Sequence, residues 1–325
     1  MIRLTNLDRQ YHSLEHRLHT AQSRVLDTGD CMLGKYTQAL EERIAERAGA
    51  KYCAITGSGS DALYMGLVAC RVKQITVPAQ TYIATQNSCI RAFCDIEWSD
   101  VTDTGCIDWN TVKAKDAVWV GLFGNPSEIP RGVRVYEDGA QHFGLRMQGV
   151  FAAYSFDPTK TLPNFGNGGA VVTDDEDIIY AVRSLRRHNW IDMHVGGNSV
   201  MSERDCAELL VKLEYFDEWT RHRQALAEFY TQELQNFVRT ITDPQGMVSK
   251  FVIASDRKAC LRTHLTMKNI QSKEVYANAL ADLPQAKQNC ETFLSIPCDS
   301  FTTQQESRDV VDAIKMFFEP TPLKT

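Results

Sequence analysis

The sequence predicts an α/β protein: a mostly parallel sheet between helices, plus a smaller C-terminal α+β domain. Three observations lead there. Between about residues 52 and 172, short apolar runs alternate with helical stretches, as strands joined by crossover helices do. Glycine or proline punctuates most of those runs. After Asp174 the texture changes to longer helical periods, a break at Asp243-Pro244-Gln245-Gly246, and a short mixed tail. The division falls at 1–235 for the large domain and 236–325 for the small one.

Each element has its own reason. A first helix is expected over about 7–27, carrying His12, His16 and His19. The i, i+4 pair His12/His16 has metal-ligand spacing, but no carboxylate motif completes it, so a solvated face is expected and no metal is assigned. Tyr36, Leu40, Ile44 and Ala48 form the stripe of a second helix, with Gly49 where a left-handed cap belongs. Strands follow at Tyr52–Ile55, Gln74–Val77, Val118–Phe123, Val133–Tyr136, Phe151–Phe156 and Ala170–Val172. Helices are expected at Asp61–Cys70, within Ala79–Phe93, and at Asp175–Arg187. Ser202 would cap a long helical region reaching about Phe237, with Leu209, Leu213 and Phe216 on one side. A strand at Phe251–Ala254 and a closing helix at Gln304–Phe318 complete the reading.

Composition excludes several classes. The 325 residues are 43% hydrophobic and 23% charged, which argues against a disordered chain, a fibre and a coiled coil. The formal charge of −6 does not invite nucleic acid. No apolar window reaches a membrane span, and the first residues lack the apolar core of a signal peptide. The ten cysteines include no Cys-x-x-Cys pair, so free buried thiols in a reducing cytoplasm are expected rather than a zinc site.

Four local features carry chemistry. Thr56-Gly57-Ser58-Gly59-Ser60-Asp61 lies between a strand and a helix. Its small residues let an anion approach the free N–H groups of a helix start, although a plain capped turn has the same composition. Val133–Gln141 ends a strand on two acids, Glu137 and Asp138. A carboxylate at a strand's carboxyl end points into the crevice where α/β sheets bind ligands. That role is given to Asp138, and Glu137 is expected in water. Tyr154-Ser155-Phe156-Asp157-Pro158-Thr159-Lys160 places a lysine after a strand and a proline turn, followed by Gly166-Asn167-Gly168-Gly169. Burial lowers a lysine's pKa and frees its lone pair for bonding to a carbonyl. Finally, Tyr82 follows a strand end, where its ring could cover a flat ligand or simply join the core. A phosphate cradle, an aromatic cover, a strand-end aspartate and a lysine are together what pyridoxal 5′-phosphate requires.

These motifs resemble the DegT/DnrJ/EryC1/StrS sugar aminotransferases, of fold type I, a resemblance that implies a mostly parallel sheet of the seven-stranded type. The likeness covers most of the chain. It runs from Leu33-Gly34-Lys35-Tyr36, through Ser58–Leu63 and Val77–Thr85, to Glu137-Asp138-Gly139-Ala140-Gln141 and Ser155–Lys160. It continues at Asn198 with Met201-Ser202-Glu203, and at Leu294-Ser295-Ile296-Pro297. The resemblance implies a role for each matching position. Lys160 would bond the cofactor, Asp138 would pair with the ring nitrogen, and Gln141 would lie beside the ring hydroxyl. Gly59, Ser60 and Ser155 would hold the phosphate, Tyr82 would stack on the ring, and Asn198 would reach a phosphate across a homodimer interface. The chain departs from the family pattern at Asn167, where a glutamate is usual, and at Val200, where an arginine is usual. It is also shorter than most relatives.

The implied activity is transfer of an amino group from an amino acid, glutamate by analogy, to a keto acceptor, by default a nucleotide-linked keto-sugar. Decarboxylation or dehydration on a related substrate is the alternative reaction; the family's dehydratases replace the lysine by histidine, and Lys160 speaks against them. A regulatory protein that binds the cofactor without turnover is the alternative class.

Overall fold

The computed structural model describes residues 1–189 and 196–319. Two helices, α1 (Leu7–Thr28) and α2 (Lys35–Ala48), precede the first strand. Gly49 takes the expected left-handed cap, with φ of 65°. The alternating region contains β1 (Tyr52–Thr56), α3 (Gly59–Ala69), β2 (Gln74–Pro78), α4 (Ile83–Arg91), β3 (Asp95–Ser99), β4 (Asp116–Val120), β5 (Arg134–Asp138), β6 (Phe151–Ser155) and β7 (Gly169–Thr173). Three helices follow: α5 (Glu176–Leu185), α6 (Glu203–Leu213) and α7 (Phe216–Leu234). The tail holds β8 (Arg239–Thr240), β9 (Phe251–Ala254), α8 (Lys258–Met267), β10 (Lys273–Glu274), α9 (Pro284–Thr292), β11 (Phe293–Ile296) and α10 (Gln304–Phe318).

Strands β1–β7 form one seven-stranded sheet in the order β1-β7-β6-β5-β4-β2-β3. The pairs from β3 through β6 are parallel, and β7 is antiparallel to both β6 and β1. Two antiparallel steps return β1 to the direction of β6. The carboxyl ends of β1, β2, β4, β5 and β6 therefore share one edge. The expected mostly parallel sheet is present, with β7 its antiparallel member, covered on one face by α3 and α5 and on the other by α2 and α6. Both faces are filled by large buried side chains, among them Phe151, Tyr136 and Ile75 in one cluster and Tyr154, Phe156 and Leu209 in the other.

Strands β8–β11 make a second, antiparallel sheet of four strands. It shares a separate apolar cluster with α7, α8 and α10, including Tyr230, Leu261 and Ile314. The start of α10 carries a complete capping box, Thr303 with Glu306.

The differences from the sequence reading have local causes. Strand β3 was not expected because it is the sheet's edge and alternates acids, Asp95 and Glu97, with apolar residues instead of running apolar. The strand expected to reach Phe123 stops at Val120; a single turn follows, in which Phe123 has φ of 63° and donates its N–H to the Gln141 side chain at 3.0 Å. The long helical region is two helices, broken at Glu214 and Tyr215. Leu209, Leu213 and Phe216 stay in one cluster across the break, so apolar periodicity alone cannot reveal it. Ser202 does cap α6, accepting from Asp205 N. Cys31 and Cys260 are exposed, against the expectation of burial. Among the described residues, no helix is long and apolar enough to cross a membrane.

Candidate active site

At the carboxyl edge of the large sheet, the strand ends open into a cleft of about 470 Å³. The sheet register sets its floor. Thr56 lies across from Gly169, and Gly169 from Ser155, so the ends of β1 and β6 flank the start of β7. Glycine is required there. A side chain on Gly169 would collide with the Ser58 backbone, and a Cβ on Gly59 would come within 2.6 Å of the Ser155 Cβ. The start of α3 is thus pressed against β6. Ser58 caps that helix, its hydroxyl accepting from Asp61 N at 3.1 Å. The N–H groups of Gly59 and Ser60 lead the helix into the cleft and have no backbone acceptor among the described residues, and the helix dipole there favours an anion.

Asp138 closes β5. Its carboxylate accepts from the Thr85 hydroxyl at 2.7 Å and from Ala140 N at 3.2 Å, and Thr85 in turn meets the Thr81 hydroxyl at 2.8 Å. Gln141 is fixed more firmly still. Its carbonyl oxygen accepts from Phe123 N, and its amide donates to the Tyr276 hydroxyl at 3.0 Å. Tyr82 precedes α4 and is 56% exposed, with its ring 6.0 Å from that of Tyr276.

Lys160 lies in the same cleft. The chain around it is tightly turned: Lys160 N bonds Asp157 O, Asn164 N bonds Phe156 O, and Phe156 N bonds Gly168 O. Buried Lys212 holds that loop from behind, donating to Pro163 O at 2.7 Å and lying 3.6 Å from the centre of the Phe165 ring. Burial lowers the Lys160 pKa, against the opposing charges of Asp138 and Asp157.

One expected site residue stands elsewhere, and one acid is corrected. Asn198 lies outside this cleft, in a separate concavity with Asp61, Arg91 and Phe93. The next residue, Ser199, links that concavity to the start of α3. Its hydroxyl accepts from Gly57 N at 2.9 Å and donates to Asp61 at 2.8 Å. Glu137 is not in water: it is 0% exposed. Neighbouring residues of a strand face opposite ways, so Asp138 turns to the cleft and Glu137 beneath the sheet. There Glu137 accepts from Gln148 N and Gly149 N, both at 2.6 Å, and sits 3.1 Å from His142 Nε2. His12 and His16 are exposed, and the His19 ring meets the Tyr11 hydroxyl.

The chain matches the model of the DegT/DnrJ/EryC1/StrS aminotransferase family over residues 13–315. It belongs to that family. The solved structure of Streptomyces venezuelae DesV in complex with a ketimine intermediate superposes with a TM-score of 0.93 and 25% identity, covering 98% of this chain and 99% of that one. A dTDP-3-amino-3,4,6-trideoxy-alpha-D-glucose transaminase of S. venezuelae is 26% identical over 97% of this chain and 95% of its own length. A protein of Geobacillus stearothermophilus named pleiotropic regulatory protein is 27% identical, over 97% and 98%. The chain is therefore an aminotransferase of a pyridoxal-phosphate-dependent family, with the fold that the sequence predicts.

The sequence reading missed three cleft residues and one residue behind the cleft. Thr85, buried and bonded to Asp138, lies in the Val77–Thr85 motif, and its position one helical turn after Thr81 was the available signal. Tyr276, Lys250 and Lys273 gave no signal, because only the tertiary fold carries them to the large sheet.

Proposed function

We propose that this protein transfers an amino group from an amino acid, glutamate by family analogy, to the keto carbon of a nucleotide-linked sugar, with pyridoxal 5′-phosphate as cofactor. The observation that carries the reading is one cleft in which Lys160 and Asp138 face the open amides at the start of α3. The substrate class rests on relatives: the dTDP-sugar transaminase above, and a UDP-2-acetamido-2-deoxy-3-oxo-D-glucuronate aminotransferase of Pseudomonas aeruginosa, 30% identical over 72% of this chain.

The residues suit the cofactor. A cradle that no Cβ could enter, two unpaired amides and the Ser60 and Ser155 hydroxyls match a phosphate. When bound, pyridoxal phosphate supplies an electron sink for negative charge on the carbon beside the transferred nitrogen. With the cofactor bound, the Asp138 carboxylate, oriented by Thr85, would hold a proton at the ring nitrogen. Gln141 would lie beside the ring hydroxyl, and Tyr82 would cover the ring. Lys160 anchors the cofactor through Nζ. The same Nζ, when free, would take the proton from the donor's α-carbon, which its lowered pKa favours by leaving more of the amine neutral.

A homodimer with shared sites is part of the proposal. Asn198 cannot serve the phosphate of its own chain from a separate concavity, but a twofold-related copy would bring it to the partner's cradle. Exposed Ile83, Ile90 and Phe93, the last 85% exposed, give α4 and its end an apolar surface beside that concavity. Mixed Lys160→Ala and Asn198→Ala subunits should then regain part of the activity that each lacks alone. We place the protein in the cytoplasm, in keeping with its unpaired cysteines.

The decisive experiment offers the pyridoxamine form of the protein a panel of keto-sugar nucleotides and other keto compounds. Return of the aldehyde chromophore identifies the acceptor. The regulatory relative gives a second reading, cofactor binding without turnover. Failure of every keto compound, with cofactor bound, would favour it.

A further inference from the structure

Two amines of the cleft have no part in the reading above. Lys250 immediately precedes β9 and Lys273 opens β10, so both belong to the four-stranded sheet, yet both line the cleft of Lys160. Lys250 is fastened to the large sheet through its neighbour: Ser249 N bonds Phe123 O at 2.9 Å, just beyond β4. The phosphate cradle stands at the ends of β1 and β6, further along the strand order. The two lysines thus occupy a different wall from the cradle.

Neither ammonium has a carboxylate oxygen within 4.0 Å or a hydrogen-bond acceptor among the described residues. The acids close by are engaged elsewhere. Glu274, next to Lys273, pairs with Arg262 at 2.7 Å and Lys258 at 3.7 Å. Asp157 accepts from the Thr159 N–H at 2.9 Å and its hydroxyl at 2.6 Å, and Asp138 from Thr85 at 2.7 Å. Burial, and then the charges of Lys160 and Lys273, push the Lys250 pKa down to about 7, with Asp157 opposing. Withdrawing an ammonium from water without a counter-charge is unfavourable, and three converging amines repel one another. An anion between them removes both penalties.

We propose that Lys250 and Lys273 form a second anion subsite in the cleft, one that takes a carboxylate or phosphate group of a substrate. The inference rests on the functional reading above. The shared chemistry has two sources, the carboxylates of an amino-acid donor and the diphosphate of a nucleotide-linked acceptor. The subsite orients whichever end it holds, so that the reacting carbon lies toward Lys160.

Calorimetric titration of the pyridoxal-phosphate-loaded protein separates the sources. Glutarate, which carries two carboxylates and no amino group to react, probes the donor; UDP probes the acceptor. The wild type is compared with Lys250→Gln, Lys273→Gln and Lys250→Arg. Each glutamine variant should weaken one probe about tenfold or more, and Lys250→Arg should restore most of it, because hydrogen bonds to charged groups dominate such contacts. Lys273 is exposed, so its replacement does not threaten the fold. Weakened glutarate with unchanged UDP assigns the subsite to the donor, and the reverse to the acceptor. Binding of neither probe by the wild type, or equal binding by wild type and both glutamine variants, overturns the subsite. Borohydride reduction is run beside it. If it still fixes pyridoxyl on Lys160, only the subsite fails; if it fixes none there in the wild type, the functional reading beneath it fails instead.

Discussion

The two walls of the cleft differ in how their polar groups are held. On the wall from the seven-stranded sheet, Asp138 rests on Thr85 and Ala140, and Gln141 on Phe123 and Tyr276. On the wall from the four-stranded sheet, Lys250 and Lys273 line the same space with no such partner among the described residues. A site that must stabilise charge during reaction gains from groups fixed in advance. A site that must bind and release a charged substrate gains from charges its ligand completes. Under the proposed function, this contrast would give chemistry to the first wall and recognition to the second.

The largest expected effect breaks the first wall. Lys160→Ala should lower the rate of amino transfer by roughly 10²–10⁴-fold, as loss of a proton-transferring group does. Single-turnover absorbance changes would measure it, with circular dichroism confirming the fold. A loss below about tenfold by the same standard would move the chemistry away from this wall.

Asp138→Asn should follow, at ~10²–10³-fold, because a fixed charge opposite the reacting system is lost while the cofactor can still bind. Thr85→Val should lie between this variant and the wild type, since it removes the orienting hydroxyl and keeps the carboxylate. If Thr85→Val matched Asp138→Asn, the threonine would be touching the reacting system itself.

Glu137→Gln should affect stability rather than chemistry. Replacing a buried carboxylate that accepts two backbone N–H groups is expected to cost about 1–3 kcal/mol in urea unfolding, with turnover per folded molecule retained. Collapse of turnover would mean that the two adjacent acids have been assigned in the wrong order.

The smallest effect lies away from both walls. Arg9, on α1, meets Glu306, at the start of α10, at 2.6 Å. The Arg9 guanidinium is the main cause that holds the Glu306 carboxyl down at about 2, well below its ordinary 4.5. A depressed folded pKa stabilises fully above the unfolded value and is lost as pH falls through the folded one. Glu306→Gln should therefore destabilise at pH 6 and converge on the wild type between about pH 4.5 and 2. The pair is partly solvated, so the difference should stay within ~0.2–1 kcal/mol.

Placement was legible in the sequence where it is settled by a residue's own neighbours. The Ser58–Ser60 turn, Asp138 at a strand end and Lys160 after a proline turn all depend on segments shorter than ten residues, and all three line one cleft. Glu137 was misread because its place depends on the 147–149 segment folding back beneath the sheet, which no local pattern expresses. Lys250 and Lys273 were passed over for the same reason at longer range. A lysine beside a short strand reads as solvated until another sheet is brought against it. Edge strand β3 and two-residue strands β8 and β10 lack apolar runs, and β11, although apolar, is only four residues long and was not expected either.

The central claim is that, of three amines in one cleft, Lys160 is the one that bonds the cofactor. Lys250 makes the test demanding, since its pKa is lowered as well. The protein is loaded with pyridoxal phosphate, reduced with borohydride, digested and mapped by mass spectrometry. The account predicts a pyridoxyl group on the peptide containing Lys160 and none on those containing Lys250 or Lys273. A label on Lys250 or Lys273, with Lys160 unmodified, would contradict it.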